Sequence, residues 1–136
     1  MHSMKHIAIG ALASLGLTGY AAAAELTGAE IKDLFSGKTI YVETTGESVT
    51  GTPGQGVLFY AADGSSLYKT PKGVMWHGTW VIKDNTNCTT WKEASGTSCN
   101  KYDKQGDTIS IINTANGKVR AKIVKTAPGN AEKLAP

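Results

Sequence analysis

The sequence predicts an all-β protein, a small antiparallel meander of about eight strands with one short N-terminal helix and one disulfide. Two observations indicate the sheet. After residue 38, short runs rich in β-branched and aromatic residues alternate with turn residues about every ten positions, the spacing of a β-sandwich or barrel. None of the connections is long enough for a crossover helix, which favours antiparallel pairing. A third observation, the spacing of Cys88 and Cys99, suits a cross-link within one hairpin.

The chain begins with a predicted export signal over residues 1–24. Lys5 lies in a short n-region, an apolar stretch covers residues 7–17, and small residues lead up to Ala24, as in a secretory leader. We expect cleavage after Ala24. No segment approaches the roughly 20 apolar residues of a membrane span. The sequence therefore predicts a soluble exported protein without stable membrane insertion.

Cleavage would leave 112 of the 136 residues, enough for one domain with a core but too few for two. We predict a single β-rich domain over residues 25–126 and a flexible tail over residues 127–136. Of the 14 lysines and arginines only Lys5 lies in the leader, so 13 remain against 11 acidic residues, a net charge of +2. The lysines are scattered, which argues against a nucleic-acid partner.

A short amphipathic helix is predicted to begin at Thr27. Thr27 and Glu30 have the spacing of a capping box, in which each side chain satisfies a backbone N–H of the other residue. Ile31 and Phe35 fall on one face, and Gly37 suits the position just past the end. We expect this helix to cover one open end of the sheet or barrel.

Eight strands are predicted after the helix. They cover residues 39–44, 56–61, 66–70, 73–83, 86–91, 97–102, 108–113 and 118–124. Asp63-Gly64 and Asn116-Gly117 are typical of tight hairpin turns. In the longest strand, Val74, Trp76 and Trp80 belong to the alternating set expected to face the core. The sequence leaves open whether the strands close into a barrel or divide into a sandwich.

The cysteines set the register of one hairpin. If Trp91 and Gly96 close a four-residue loop, Cys88 lies opposite Cys99, at a Cα separation of roughly 4.5 to 5.5 Å that a disulfide can span. Closing this loop should stabilise the fold by about 2 to 3 kcal/mol. Trp91 and Tyr102 then lie on the opposite face of the hairpin. Because no Cys-x-x-Cys spacing is present, we expect a structural disulfide rather than a redox site.

The composition excludes several chemistries. The mature chain keeps one histidine, His77, so it cannot supply the roughly four Cys or His ligands of a structural zinc site. Phosphate-binding and dinucleotide motifs are missing from the sequence, and we predict no cofactor. His77 alternates with the core-facing positions of its strand, and no Gly-x-Ser-x-Gly elbow accompanies it. We therefore predict no catalytic residue and no metal site, and expect that the protein is not an enzyme.

Two resemblances add to this interpretation. Gly78-Thr79-Trp80 is similar to the Gly-x-Trp motif of lipocalin-like barrels, where a late-strand arginine packs on the tryptophan. This implies a lipocalin-like or calycin-like barrel in which Arg120, the one arginine of the chain, takes that role.

The mature chain as a whole resembles the small exported proteobacterial proteins grouped as domain of unknown function 995. The segments that carry this resemblance are Leu26-Thr27-Gly28-Ala29-Glu30-Ile31, Gly78-Thr79-Trp80, Cys88-Thr89-Thr90-Trp91, Cys99-Asn100-Lys101-Tyr102 and Gly117-Lys118-Val119-Arg120. It implies a periplasmic or secreted protein of a Gram-negative bacterium with one β-rich domain. It implies no activity and no functional residue.

Two classes of function remain. We prefer a module that binds a small molecule or an envelope component, with residues 45–55 as a lid or binding loop without apolar anchors. The candidate binding residues are Tyr41, Tyr60, Tyr68, Trp76, Trp91 and His77. The alternative is a protein-interaction module, such as a periplasmic inhibitor of a secreted hydrolase. In that case residues 61–69 would enter the partner's cleft, with Asp63 and Lys69 as contacts.

Overall fold

The structure, a computed structural model, describes residues 23–136 and shows an eight-stranded antiparallel barrel. Its elements are β1 (Ala24–Glu25), α1 (Gly28–Phe35), β2 (Lys38–Thr44), β3 (Gly54–Tyr60), β4 (Ser65–Lys69), β5 (Met75–Lys83), β6 (Thr86–Trp91), β7 (Thr97–Gln105), β8 (Thr108–Asn113) and β9 (Val119–Pro128). The predicted leader lies outside the described residues except for its last two. The expected cleavage point falls inside β1.

The barrel closes because β9 pairs with β2, the first long strand. Each strand from β2 to β9 also pairs with its neighbour in sequence, and all pairs are antiparallel. The short strand β1 pairs with the part of β7 that extends past its pairing with β6. The eight predicted strands are confirmed within a few residues, and closure selects the barrel over the sandwich. The largest difference in a strand end is at β9, which continues four residues further than predicted.

The predicted capping box of α1 is confirmed. The Glu30 backbone N–H donates to Thr27 Oγ1 at 3.2 Å, and the Thr27 backbone N–H donates to Glu30 Oε1 at 3.1 Å. Gly37 follows the helix with a φ of +70°, a left-handed conformation that favours glycine. These local interactions set both ends of the helix.

The helix closes one end of the barrel, as the sequence predicted. Ile31 and Phe35 are buried, and the Phe35 ring lies 5.0 Å from that of Tyr60 and 4.8 Å from that of Tyr102. The Gly28 backbone N–H also donates to a side chain in the β5–β6 turn at 2.9 Å. We call this side the closed end. Within residues 23–136, no helix is long and apolar enough to cross a membrane.

The opposite end of the barrel, which we call the mouth, carries four loops. They are residues 45–53, 70–74, 92–96 and 114–118. Val74 lies in the second of these loops, before β5 begins, and its side chain is 53% exposed. The prediction that Val74 faces the core is therefore wrong. Strand β5 begins one residue later, at Met75. The other residues predicted to face the core, which include Trp76, Trp80 and Ile82, do pack against it.

The cysteine hairpin has the predicted register. Cys88 lies directly opposite Cys99 on β6 and β7, and the two form a disulfide. Trp91 and Tyr102 occupy the other face of the hairpin and are buried in the barrel core. The period of two in these strands thus orients the cross-link away from the interior.

The C-terminal segment differs from the flexible tail predicted over residues 127–136. β9 continues to Pro128, and the Ala131 backbone N–H donates to Thr39 Oγ1 at 2.9 Å. Leu134 is only 7% exposed. The prediction relied on local composition, which cannot show hydrogen bonds to a strand about ninety positions earlier.

Candidate functional site

The barrel interior contains a cavity of about 50 Å³. On this measure one water molecule needs about 10 to 15 Å³, so the cavity holds roughly three or four. Its walls combine aromatic and aliphatic side chains from Val42, Leu58, Tyr60, Tyr68, Trp91, Tyr102 and Ile111 with the polar groups described below. The interior is therefore well packed, and the free space is a small hollow rather than a channel.

A wider hollow, which we call the mouth pocket, lies beside the cavity at the mouth. This pocket has a volume of about 270 Å³ and lies between the loops 45–53 and 92–96. Ser48, Val49, Trp91, Ser98 and Arg120 line both spaces. A molecule entering at the mouth would therefore meet these five side chains before it reached the core.

The loop over residues 45–53 folds against the mouth. The Thr45 backbone N–H donates to the Arg120 carbonyl oxygen at 2.8 Å, and Lys118 Nζ lies 3.5 Å from a carboxylate oxygen of Glu47. Val49 packs against the core, so the prediction that this loop lacks an apolar anchor is wrong. One valine in a loop of small and polar residues was too weak a signal to predict that contact.

Several buried polar atoms in the described part of the chain have no hydrogen-bond partner. They are Ser66 Oγ, Asn87 Oδ1, Ser98 Oγ, Asn100 Oδ1 and Arg120 Nε. The last three belong to residues that line the cavity. Because buried polar groups are normally hydrogen-bonded, the unpaired atoms around this hollow can be satisfied by water or by another small polar group placed there.

Asn87 lies deeper in the barrel, beside the tyrosines of the closed half. Its Nδ2 donates to the Tyr102 hydroxyl at 3.3 Å. Burial raises the pKa of Tyr60 and Tyr102 well above the ordinary value, and it raises the pKa of Tyr68 to about 12. These three hydroxyls are neutral at physiological pH, so they serve the interior as hydrogen-bonding groups without charge.

The raised tyrosine pKa values make the fold sensitive to alkali. The folded state keeps the Tyr68 proton up to about pH 12, whereas the unfolded chain loses it from about pH 10. The stability is therefore complete below about pH 10 and falls as the pH rises towards 12. Urea unfolding at a series of pH values should show this decline. In a Tyr41→Phe background, which removes the tyrosine of the outer wall, tyrosinate absorbance should appear only as the fold is lost. Adding Tyr68→Phe should make the decline less steep, and tyrosinate formation near pH 10 in the fully folded Tyr41→Phe protein would contradict the prediction.

Arg120 reaches the cavity through an irregularity in β9. Ile111 pairs with Ala121 but Ile112 pairs with Val119, so Arg120 is an extra residue in the ladder. An Nη1–H donates weakly to the Glu47 carbonyl oxygen at 3.4 Å. No carboxylate within residues 23–136 lies within 4.0 Å of its guanidinium. Burial lowers the pKa of the Arg120 side chain, yet an arginine keeps its charge at neutral pH.

Arg120 does not pack on Trp80, contrary to the expectation from the lipocalin-like motif. Trp80 lies towards the closed end, where its indole N–H donates to the Ala61 carbonyl oxygen at 2.9 Å and its ring contacts that of Tyr60. Arg120 lies at the mouth. The two side chains therefore lie towards opposite ends of the barrel.

The predicted binding residues divide into two groups. Tyr60, Tyr68 and Trp91 line the cavity, and Trp76 packs beside them with its ring 6.3 Å from that of Trp91. Tyr41 is on the outer wall, where its hydroxyl donates to Glu132 at 2.7 Å and Lys125 Nζ lies 4.4 Å from its ring centroid. Tyr41 therefore lies outside the cavity, because Ile40 and Val42 occupy the inward positions of β2.

His77 also lies outside the cavity. Its Nδ1 lies 3.0 Å from a carboxylate oxygen of Glu93, and the same carboxylate accepts the His77 backbone N–H. Both side chains are partly exposed. This pair anchors the loop after β6 to the outer wall of β5, and it does not contribute to the binding residues.

The segment proposed for the inhibitor alternative is not one protruding loop. Residues 65–69 form β4, whereas Asp63 lies in the turn before it and accepts hydrogen bonds from the backbone and hydroxyl of Ser65 at 2.8 and 2.7 Å. Asp63 is at the closed end and Lys69 is at the mouth end of the strand. The two residues therefore lie towards opposite ends of the barrel and do not share one loop.

Sequence reasoning missed the polar half of the site. Ser98 and Asn100 were not selected, although they alternate with Tyr102 along β7 and so share its inward face. Arg120 was assigned to a different role. Within the described range, no group of three or more His, Cys, Asp and Glu residues is arranged to hold a metal ion.

Comparison with known proteins adds no assignment. No family model matches the chain, and no significant match was found among curated proteins or solved structures.

Proposed function

We propose that this protein is an exported binding module that holds a small molecule in the mouth and upper interior of its barrel. The observation that carries the proposal is the group of unpaired polar atoms of Ser98, Asn100 and Arg120 around one hollow. An apolar hollow with a few converging polar groups is the usual form of a small-molecule site.

The surrounding structure supports binding from one end only. Helix α1 and the Phe35 ring fill the closed end, whereas the mouth is covered by loops. Trp91 contributes to the walls of both the cavity and the mouth pocket. A ligand would therefore enter between the loops 45–53 and 92–96, with Trp91 as its apolar contact.

The proposed location is the periplasm of a Gram-negative bacterium or the medium outside it. The Cys88–Cys99 disulfide supports this, since such bonds persist in oxidising compartments.

Native mass spectrometry of the protein purified from its own host tests the proposal. We expect a discrete mass beyond the oxidised polypeptide that is lost on denaturation. Asn100→Leu should abolish or strongly reduce that bound mass, since it removes an unpaired acceptor from the cavity, while the protein remains folded. Lys101→Gln is the matched control, because Lys101 follows on the outer face of the same strand.

Two results would contradict this function. A bare polypeptide from the native source, with no small molecule from a soluble extract of the same cells bound on re-addition, would favour a protein partner. Equal bound mass in wild type and Asn100→Leu would place the ligand somewhere other than this cavity.

A further inference from the structure

We propose that the ligand carries a singly charged anionic group of the carboxylate class, and that Arg120 binds this group at the mouth. The inference rests on the proposed function and specifies the chemistry of its ligand. It is drawn from the charge, burial and hydrogen bonding of the side chains around the mouth pocket.

Arg120 is the one charged residue that lines the cavity or the mouth pocket, while Glu47 and Lys118 pair with each other in the loops beside it. Every other residue that lines the cavity or the mouth pocket is neutral at physiological pH. The guanidinium is partly buried and has no carboxylate within 4.0 Å in the described chain. The Glu47 carboxylate attracts the guanidinium only from beyond that distance, so a ligand anion in direct contact would offset more of the cost of burying this charge.

The unused donors of Arg120 suit a carboxylate. Nε is buried without a partner, and the hydrogen bond from Nη1 to the Glu47 carbonyl is long at 3.4 Å. A guanidinium can present two parallel N–H groups to the two oxygens of a carboxylate. The Ser98 hydroxyl, also unpaired and shared by both hollows, offers a further donor.

The rest of the lining describes the remainder of the ligand. Trp91 and Val49 present apolar surface beside Arg120 in both hollows. The unpaired Asn100 Oδ1 can accept a hydrogen bond from a donor on the ligand or from a bound water. A small organic acid with an aromatic or short aliphatic body therefore fits better than an inorganic dianion, because the site has one cation with the apolar side chains of Trp91 and Val49 beside it.

Three probes of one shape test this inference: benzoate, benzyl alcohol and benzylammonium. Arg120 is the only arginine of the chain, so its Nε–H gives a single assignable NMR signal. We expect benzoate to shift this signal saturably and to bind at least about tenfold more tightly than the other two probes, as expected for a charge-assisted hydrogen bond.

Variants separate the charge from the packing. Arg120→Gln should weaken benzoate binding by about tenfold or more, and Arg120→Lys should fall between it and the wild type because it keeps the charge but loses the planar fork. Lys122→Gln, two residues along β9 and exposed on the outer wall, makes the same change of charge and should leave binding within about twofold. If Arg120→Gln does not fold, Arg120→Lys and the three probes still show whether the side chain of residue 120 binds an anionic group.

The outcomes distinguish the two proposals. If benzyl alcohol or benzylammonium binds as tightly as benzoate and shifts the Trp91 indole signal, the anionic assignment is overturned while the binding function stands. If benzoate binding is unchanged in both Arg120 variants, the assignment is equally overturned. If none of the probes shifts Trp91 or Arg120 and the native protein carries no small molecule, both proposals fail.

Discussion

Replacing Phe35 by alanine is expected to lower the free energy of unfolding by about 3 to 5 kcal/mol, the usual cost of removing a buried aromatic side chain. Phe35 is 1% exposed and joins α1 to the barrel through its contacts with the Tyr60 and Tyr102 rings. Its loss would leave a cavity that the short helix cannot fill by moving, since the capping box and Gly37 fix both ends of α1. Chemical denaturation followed by tryptophan fluorescence measures the change.

The control for this substitution is Lys32→Ala, on the exposed face of the same helix. It keeps the capping box and should change the free energy of unfolding by less than about 0.5 kcal/mol. A Phe35→Ala protein as stable as this control would show that α1 does not seal the closed end.

Adding one methyl group at Gly78 is expected to lower the free energy of unfolding by about 3 kcal/mol, at the upper end of overpacking costs. Gly78 lies on the inner face of β5, opposite Ser66 on β4 and Trp91 on β6. A Cβ there would overlap the Thr90 carbonyl oxygen and lie 2.9 Å from Trp91 Cε3. Because the carbonyl belongs to the backbone, β5 and β6 would have to separate to accept it.

Gly46→Ala is the matched control for Gly78→Ala. A Cβ at Gly46 meets no atom within 4 Å, and its backbone conformation suits any residue. The control should be as stable as wild type within about 0.5 kcal/mol, or slightly more stable because alanine reduces the freedom of the unfolded chain. Equal thermal midpoints for the two variants would contradict the close packing of Trp91 over Gly78.

The contact at Gly78 connects the fold to the proposed site. Trp91 lines the cavity and the mouth pocket, and the lack of a side chain at Gly78 lets its indole lie against β5. The Gly78-Thr79-Trp80 segment resembles a barrel motif. The structure gives its glycine a physical reason that concerns Trp91 rather than an arginine packed on Trp80.

Part of the candidate site was predictable from alternation alone. If Trp91 lies on the face of the cysteine hairpin that points into the barrel, Ser98 and Asn100 must lie on that face too. Residues on one face of a strand recur every two positions. The same rule applied to Ile40 and Val42 would have excluded Tyr41. Aromatic character alone does not determine whether a strand residue faces the interior, whereas its register position does.

Arg120 could not be placed by any such rule. The bulge between the Ile111 and Ile112 pairs breaks the period of two in β9, so the face on which Arg120 lies depends on how β8 and β9 pair in space. The position of Val49 over the mouth and of Leu134 against the outer wall likewise depends on contacts between distant segments.

The elements of this protein follow from local sequence. The capping box at Thr27, the eight β-rich runs and the Cys88–Cys99 spacing each involve residues close together in the chain, where hydrogen-bonding pattern and periodicity act directly. Only the tertiary structure decided three features. These are the closure of the barrel by β2 and β9, the packing of the C-terminal segment against the barrel, and the unpaired guanidinium of Arg120 at the mouth. They depend on contacts between residues about seventy to ninety positions apart, and no short-range pattern encodes such pairings.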